Sequence, residues 1–453
     1  MINNLSNTKT VKKMLKNEKY KGLKSFFLSS ADGLYYLSHA SILVKLSGKN
    51  FLFDPVLAKP PHLGSWLFYP EMKIDACLLD VDAVFISHQH QDHFDVDFLK
   101  QLPKKTRIYI VAGRPQFSKM LNNEGIIYSE IPENKIFDLD GGVTCIGVTH
   151  EYNGIDSAIA ISNGKFTIYH GNDCFLSGEK LEIVKKFYPK IDVACIPFAY
   201  VHWYPFLLDD VSEAWRTQES DRLIKKYLDY GLAQIEDLQP SIAIPFGANM
   251  FYFDDVDSHH NKAVVSPLDF EEYAAHVNFK MHGVIKPLFA GDSIVSELQL
   301  TGAAHKIYSA GIEKKSLMEG LRNYIKHVRI IGTGFDEQAI EKIKFSEITD
   351  INFIEDRLKN NFLDELHNVY ISNVDHPEID FIEINLKSGK SNYSKKINKS
   401  LPYHWFKLTN LAYKAYLCKK FSFNEIVASS RFRLTRVPNC YNIKILKIIN
   451  NVL

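Results

Sequence analysis

A histidine-rich loop directly after a short apolar run constrains this 453-residue chain more than any other feature. Residues 82–86 are mostly apolar, with β-branched and aromatic side chains, which predicts a short buried strand. The loop that follows carries His88, His90, Asp92 and His93. Side chains two apart on such a loop can turn towards one point, so the first two histidines can share one ion and the last two ligands can hold a second. Imidazole and carboxylate together favour zinc, iron, manganese or cobalt over magnesium or calcium.

Composition indicates a soluble globular protein with a sizeable core. Hydrophobic residues make up 46% of the chain and the formal net charge is +1, so neither nucleic acid nor an anionic membrane is an expected partner. Residues 1–24 are polar and lack the apolar core of a signal peptide. No later run reaches the eighteen or so apolar residues of a membrane span. We therefore expect a cytoplasmic location and no membrane contact.

The cysteines are scattered through apolar runs, which predicts reduced core residues. No Cys-x-x-Cys pair occurs. The Cys-x-His and Cys-x-x-His pattern that holds a Rieske iron–sulfur cluster is also missing from these residues. The six cysteines are Cys77, Cys145, Cys174, Cys195, Cys418 and Cys440.

Short strand patterns and helical patterns follow one another from about residue 34 onwards. Residues 34–46 and 51–55 flank a Ser-Gly-Lys-Asn turn, which predicts a β-hairpin, and residues 158–170 predict a second hairpin around Asn-Gly. Between two further short strands, residues 211–238 carry the apolar spacing of a long helix. Strands in two sets with helices between them predict a layered α/β sandwich with metal-binding loops at one edge.

The chain beyond about residue 300 carries no further ligand cluster and predicts an accessory α+β region that packs on the core or contacts a partner. Residues 379–386 alternate like a half-buried strand, and helical patterns follow at 405–417 and 423–429. The predicted divisions are a polar leader, a metal-binding domain and an accessory domain, at residues 1–24, 25–300 and 301–453.

The spacing within residues 88–93 resembles His-x-His-x-Asp-His, the signature of the metallo-β-lactamase superfamily. This resemblance implies an αββα sandwich whose loops hold two metal ions. It also implies a further ligand to the first ion after a later strand, and an aspartate that bridges both ions. By order and strand placement these are His150 and Asp173, although a structural histidine and a turn-forming aspartate fit the same pattern. Glu151 is an alternative ligand, but strand alternation turns it away from His150.

The last ligand of the hydrolytic members is the expected feature that this sequence lacks. Those members usually carry Ile-Pro-x-His on a later strand, whereas residues 244–247 read Ile-Pro-Phe-Gly and place Gly247 where the histidine would be. The second ion then keeps Asp92, His93 and Asp173 and stays open unless another side chain replaces the histidine. The candidate replacements, all in aromatic or polar loops, are His202, His259 and His260.

Two segments near the N-terminus leave their roles open. His39, which we place at the start of a strand, either contacts the metal site or is structural. Residues 60–70 are interrupted by proline and glycine, which predicts an irregular loop. Its aromatic side chains either line a substrate pocket or anchor the loop.

A narrower resemblance connects the chain to the family of CMP-N-acetylneuraminate hydroxylases. Residues 52–173, 215–246 and 423–441 are similar to the metallo-β-lactamase-fold part of that family, which also has a small residue after Pro-Phe instead of the histidine. The ligand pattern is likewise similar to that of the diiron β-hydroxylases of chloramphenicol biosynthesis. The Rieske domain that precedes this part in the hydroxylases has no counterpart in the residues given.

These resemblances favour a non-haem diiron oxygenase on a small metabolite or sugar-nucleotide-like substrate. Open positions on the second ion suit dioxygen, and electrons would come from a separate reductase or ferredoxin. Asp92 and Asp173 are the predicted catalytic residues. The full predicted ligand set is His88, His90 and His150 on one iron, Asp92 and His93 on the other, and Asp173 between them.

The alternative is a metal-dependent hydrolase of the same superfamily, such as a lactonase or phosphodiesterase. Two zinc or manganese ions would then lower the pKa of a water molecule that attacks the substrate. A purely structural metal site is less favoured, because structural metals are usually coordinated fully by protein. The sequence predicts nothing about the oligomeric state.

Overall fold

The computed structural model describes most of the chain from residue 21 onwards. Glu151, Cys77 and Cys440 lie outside the described residues, as does most of the predicted leader, and for His259 only the backbone is described. The described residues are 21–70, 72–76, 79–150, 156–253, 259–301, 322–329, 337–348, 350–359, 363, 366–439, 442, 444–445 and 448.

The helices are α1 (Lys21–Leu28), α2 (Val96–Lys100), α3 (Pro115–Asn123), α4 (Glu179–Phe187), α5 (Glu213–Leu238), α6 (His259–Lys262), α7 (Pro267–His276), α8 (Glu337–Glu341), α9 (Asn352–Leu358), α10 (Asn410–Leu417) and α11 (Phe423–Ala428). The strands are β1 (Gly33–Ser38), β2 (Ser41–Leu46), β3 (Lys49–Phe53), β4 (Trp66–Phe68), β5 (Ala83–Phe85), β6 (Arg107–Val111), β7 (Ser129–Ile131), β8 (Ile136–Asp138), β9 (Thr144–Thr149), β10 (Ser157–Ser162), β11 (Thr167–His170), β12 (Val193–Pro197), β13 (Ile242–Phe246), β14 (Met250–Tyr252), β15 (Val284–Ile285), β16 (Ser293–Val295), β17 (Leu300–Thr301), β18 (Asn368–Asn373), β19 (Phe381–Asn385), β20 (Lys390–Ser394), β21 (Tyr403–Leu408) and β22 (Phe432–Val437).

Two mixed sheets face each other across one apolar core. The first has the strand order β17-β16-β1-β2-β3-β5-β6-β7, and the second has the order β15-β13-β12-β11-β10-β9-β8. Phe53 and Phe85 from the first sheet pack with Ile159 and Ile244 from the second. Strands β2, β10 and β12 are buried along their whole length, which is expected where both faces of a sheet are covered.

Helices cover the outer face of each sheet. Phe26 of α1, Phe98 of α2 and Leu121 of α3 pack on the first sheet. Leu232 of α5 and Phe270 of α7 pack on the second. The four layers are therefore helix, sheet, sheet and helix, which confirms the predicted αββα sandwich.

The predicted first hairpin is wrong in one respect that matters for the site. Residues 34–46 form two antiparallel strands, β1 and β2, and not one continuous strand. The chain reverses at His39, whose backbone has φ of +41°, and the Tyr36 hydroxyl donates to the His39 carbonyl at 2.5 Å. No glycine, proline or asparagine marks this reversal in the sequence, so His39 lies at a turn instead of at the start of a strand.

Sheet pairing also overrides two other local patterns. The segment 60–70 includes β4, which pairs with β14, although proline and glycine interrupt it. Residues 405–417 do not form one helix, because 403–408 form strand β21 between β18 and β22. The predicted helix begins only at Asn410.

The C-terminal part contains a third sheet with the order β20-β19-β18-β21-β22. Helices α10 and α11 cover one of its faces, and their apolar core also takes in Leu63, Trp203 and Phe206 from the sandwich. Strand β22 continues this contact through its backbone, since Leu434 and Leu207 are joined by a hydrogen bond of 2.9 Å. The domain limits given by the sequence stay predictions.

The described cysteines are reduced, as predicted. Cys145, Cys174 and Cys195 are buried, and Cys418 is half-buried. Among the described residues, no helix combines the length and the apolar character needed to cross a lipid bilayer.

Candidate metal centre

Loops from both sheets meet at one edge of the sandwich. Strand β5 lies between β3 and β6 and is parallel to both, so the loop of residues 88–93 leaves an interior strand of the first sheet. Strands β11, β12 and β13 are parallel neighbours in the second sheet. Asp173 follows β11 and Gly247 follows β13, which brings both residues to the same edge.

Histidine and aspartate side chains form three overlapping groups at this edge. In each group, one ligand atom from every residue lies within 4.8 Å of the others. Because the groups share His88 and His93, they form one continuous cluster. The groups are His88, His90 and Asp156; His88, His93 and Asp173; and His39, Asp92 and His93.

The arrangement around His93 fits a metal ion. Its Nε2 atom lies 3.2 Å from Asp92 Oδ2 and 3.5 Å from Asp173 Oδ2. It nevertheless makes no hydrogen bond within the described part of the chain, although it is buried. Lone pairs of one imidazole and two carboxylates therefore converge without satisfying one another, which is the donor set that zinc or iron takes.

The electrostatics leave most of the candidate ligands in the protonation states that bind metals. Burial, together with His93 and His90, holds the pKa of His88 well below its usual range, and burial also lowers the pKa of His90. Burial alone would raise the pKa of Asp92, but the charge of His93 and hydrogen bonds from histidines that include His39 and His62 hold it well below normal. Burial opposes the charged form of His93, but Asp173 and Asp92 raise its pKa well above normal. A bound cation would therefore displace a proton from His93.

A buried carboxylate orients His93 and the start of the loop. Asp54 follows β3, and its Oδ2 lies 3.0 Å from His93 Nδ1, so that nitrogen donates and Nε2 turns towards the cluster. Asp54 also accepts from the Ser87 N–H at 2.8 Å and from the Ser87 hydroxyl at 2.6 Å. The Arg114 guanidinium donates to the Ser87 carbonyl from the other side. The loop is therefore fixed before any ligand binds.

Two histidines flank Asp92. His39 Nε2 lies 3.3 Å from Oδ2, and His62 Nε2 lies 3.1 Å from Oδ1. Sequence reasoning singled out His39 but missed His62, as well as Asp54 and Asp156. The Phe-Asp-Pro sequence at the end of a strand parallel to β5 was an available signal for Asp54, whereas nothing local marks His62 beyond the two prolines before it.

Two further predicted ligands, His150 and Glu151, stay predictions. His150 follows β9, and its backbone N–H donates to the Asp156 carbonyl at 3.0 Å. No ligand group among the described residues includes it, so its role as a ligand stays a prediction. Glu151 lies outside the described residues.

The candidate replacements for the missing histidine have other contacts. The His260 ring stacks on Tyr252 at 3.7 Å and on Phe206 at 4.5 Å, and its Nε2 lies 3.1 Å from the His202 carbonyl. His202 Nδ1 accepts from the Tyr204 N–H at 3.1 Å. Neither histidine belongs to a ligand group in the part of the chain that the structure describes. For His259 the side chain is not among the described parts.

Gly247 lies at the open side of the cluster. Its φ is +78°, and a Cβ placed there would lie 4.0 Å from Asp173 Oδ1. A side chain at this position would therefore begin beside the Asp173 carboxylate. The Asp173 side chain is 41% exposed, in contrast to the buried Asp92.

With this geometry in place, comparison with known proteins identifies the fold family. Residues 33–206 match the family model described as "Beta-lactamase superfamily domain". This part of the chain is a beta-lactamase superfamily domain. It begins at β1 and includes the histidine loop and Asp173, so the match covers most of the cluster. The match and the αββα sandwich confirm the predicted family for this part of the chain.

Two relatives show how far the similarity extends. A cytidine monophosphate-N-acetylneuraminic acid hydroxylase from Xenopus laevis is 28% identical over 270 residues, which cover 54% of this chain and 42% of the relative. A putative Rieske 2Fe-2S iron–sulfur protein from Mycolicibacterium smegmatis is 24% identical over 249 residues, covering 51% and 47%. The chain thus spans about half the length of the curated relatives it matches.

Among the similar solved structures is that of CmlA, a diiron β-hydroxylase from Streptomyces venezuelae. The TM-score is 0.42 and the identity 15%, over 61% of this chain and 55% of the other. A likeness of this size says nothing about activity.

Proposed function

We propose that this protein is a non-haem diiron oxygenase that hydroxylates a small metabolite or a sugar-nucleotide-like molecule. The observation that carries the proposal is Gly247. In the hydrolytic pattern a histidine stands at this position, whereas glycine leaves this side of Asp173 free of any side chain of its own. Open coordination positions are what a metal centre needs for dioxygen to bind.

The residues of the cluster have different proposed roles. Bound iron would supply the reduction of dioxygen. His88 and His90 are held neutral for binding, and Asp92 is held ionised. Burial and the neighbouring Asp173 raise the pKa of Asp156 to about 7, so this carboxyl group can hold or release a proton near neutral pH, 3.4 Å from His88 Nδ1. The proposed ligands are His88, His90 and His150 for one iron, Asp92 and His93 for the other, and Asp173 for both.

The relatives support the oxygenase, because one carries a hydroxylase name and another a Rieske iron–sulfur name. Hydroxylation by dioxygen takes two electrons from the substrate and two from a donor. The proposal therefore includes an electron donor, for which we propose a separate reductase or ferredoxin.

The test is the reaction of the reduced protein with oxygen. Iron-loaded protein is reduced without air, mixed with oxygenated buffer, and followed by absorbance and by an oxygen electrode, with zinc-loaded protein as the control. Rapid re-oxidation with oxygen uptake by the iron form alone is expected. An iron form that does not react, together with a zinc or manganese form that cleaves esters or phosphodiesters, would replace the oxygenase by the hydrolase.

A further inference from the structure

We propose that His39 is a ligand of the second metal ion, beside Asp92 and His93. The inference rests on the dinuclear centre of the proposed function and adds one ligand to it. His39 comes from the turn between β1 and β2 in the first sheet, whereas Gly247 follows β13 in the second. The ligand would therefore reach the ion from the opposite sheet.

The two positions are direct neighbours. The Gly247 N–H donates to the His39 carbonyl at 3.3 Å. A Cβ at Gly247 would lie 4.0 Å from Asp173 Oδ1, and His39 is close enough to Asp173 to help lower its pKa against the effect of burial. His39 and Gly247 therefore lie at the same side of the cluster.

The distances match those between ligands of one ion. Two nitrogen or oxygen ligands, each about 2.1 Å from a tetrahedral ion, lie about 3.4 Å apart. His39 Nε2 is 3.3 Å from Asp92 Oδ2, which is 3.2 Å from His93 Nε2, which is in turn 3.5 Å from Asp173 Oδ2. The ligand atoms of His39, Asp92 and His93 thus all lie within 4.8 Å of one another, and Asp173 adjoins this group through His93.

The ring of His39 is held in this orientation. It is 2% exposed and stacks on Phe68, with ring centroids 4.6 Å apart and planes 7° apart. The edge of Trp66 closes a second side at 6.3 Å. Aromatic contacts on two sides leave the Nε2 edge as the part that faces the cluster, so the ligand is preorganised.

His62 provides a matched comparison. It is also buried and also contacts Asp92, but at Oδ1, and it belongs to none of the ligand groups in the described residues. If His39 only supported Asp92 by a hydrogen bond, replacing either histidine would have a similar effect. A ligand and a supporting residue can therefore be told apart.

The experiment counts cobalt(II) ions bound by metal-free full-length protein, by calorimetry and visible absorption, so it needs neither iron nor substrate. Wild type should bind two ions. His39→Gln should bind the first ion as wild type does and the second more than about 100-fold more weakly, which exceeds the usual cost of losing an outer contact. His62→Gln should keep both sites within about 10-fold. Thermal unfolding of the metal-free variants shows that each is folded.

A second variant tests the assignment by a signal that appears, and not by a loss of metal affinity. His39→Cys offers a thiolate, which is itself a metal ligand, and should give a thiolate-to-cobalt charge-transfer band when the second ion is added. His62→Cys should give none. Two unchanged sites in His39→Gln, equal losses in both glutamine variants, or no band from His39→Cys would each overturn the assignment while leaving the proposed function intact. A wild type that binds fewer than two ions would overturn the dinuclear centre itself.

Discussion

At the scale of single residues, Asp54 determines how the cluster presents His93. The carboxylate can only accept hydrogen bonds, so the 3.0 Å contact fixes the proton of His93 on Nδ1 and leaves Nε2 for an ion. Asp54 itself adopts a positive φ of +40° and is held by both donors of Ser87. Loss of a residue that hydrogen-bonds a metal ligand usually lowers the metal affinity.

We therefore expect Asp54→Asn to weaken metal binding about 10-fold to 100-fold, because an amide no longer enforces the tautomer of His93. The measurement is competition with a chelator of known affinity. Asp192→Asn is the matched control, since Asp192 is also buried and accepts the Thr167 N–H at 2.8 Å in the second sheet. The control should lower stability but not metal affinity. Equal affinity losses in both variants would contradict the role given to Asp54.

At the scale of elements, two histidines meet between parallel strands of the third sheet. His367 precedes β18 and His404 lies in β21, with His367 Nε2 2.8 Å from His404 Nδ1. Burial lowers the pKa of His367 to about 4, and burial with His367 and Arg436 lowers the pKa of His404 to about 3. As the pH falls, these two histidines therefore become protonated in the unfolded chain while they are still neutral in the folded protein.

The pH dependence of stability follows from these two values. Because the folded pKa values lie below the unfolded value of about 6.5, the stabilisation is complete above that pH and is lost as the pH falls towards 4 and then 3. Each histidine should cost roughly 1.4 kcal/mol per pH unit in this window. Urea unfolding at pH 7, 6 and 5 gives the free energy of unfolding at each pH. This free energy should fall less steeply with falling pH in His404→Gln than in wild type. Identical slopes would show that the pair does not titrate in this way.

Some strands and helices could be predicted from the sequence, and others could not. The strand before residues 88–93 and the helix over residues 213–238 were predictable because their apolar spacing agrees with their final environment. The turn at His39 was not, since residues 34–46 carry a continuous apolar pattern without a turn residue. Residues 405–408 have mixed preferences, and pairing with β18 and β22 decides that they form a strand.

For the site, the motif predicted which residue types converge but not all of their neighbours. Within one loop, spacing alone places His88, His90, Asp92 and His93. His62 and Asp156 approach from distant parts of the chain, and only the tertiary fold brings them to the loop. Contacts of that kind have no local signal in a single sequence.

At the scale of the whole molecule, the C-terminal region contacts the loop of residues 88–93. Gln91, between two candidate ligands, donates to Glu425 of α11 at 2.6 Å and accepts from the His62 N–H at 2.8 Å. Beside it, the Trp66 indole donates to the Ala428 carbonyl at 2.9 Å. One end of the chain thus braces a loop that lies more than 300 residues away.

Gln91→Ala should therefore weaken metal binding on the order of 10-fold, the lower end of what lost outer contacts cost. The reason is that it releases the loop from both His62 and Glu425 while leaving the cap of α11 intact. Gln101→Ala removes a comparable exposed contact at the end of α2 and should have no effect. A chelator competition assay measures the metal affinity of both variants. Unchanged affinity in Gln91→Ala would show that the C-terminal region does not support the metal centre.

The most direct test of the central claim, an oxygen-reactive iron pair in the His/Asp cluster, is the metal content and spectrum of the protein itself. Protein made in iron-57 medium and purified without chelators is analysed for metals and by Mössbauer spectroscopy. We expect two irons per chain as a coupled diferric pair that changes on reduction and returns on exposure to oxygen. Zinc or manganese in both positions, with no redox response, would contradict it and make Gly247 a simple exchange of ligands in a hydrolase.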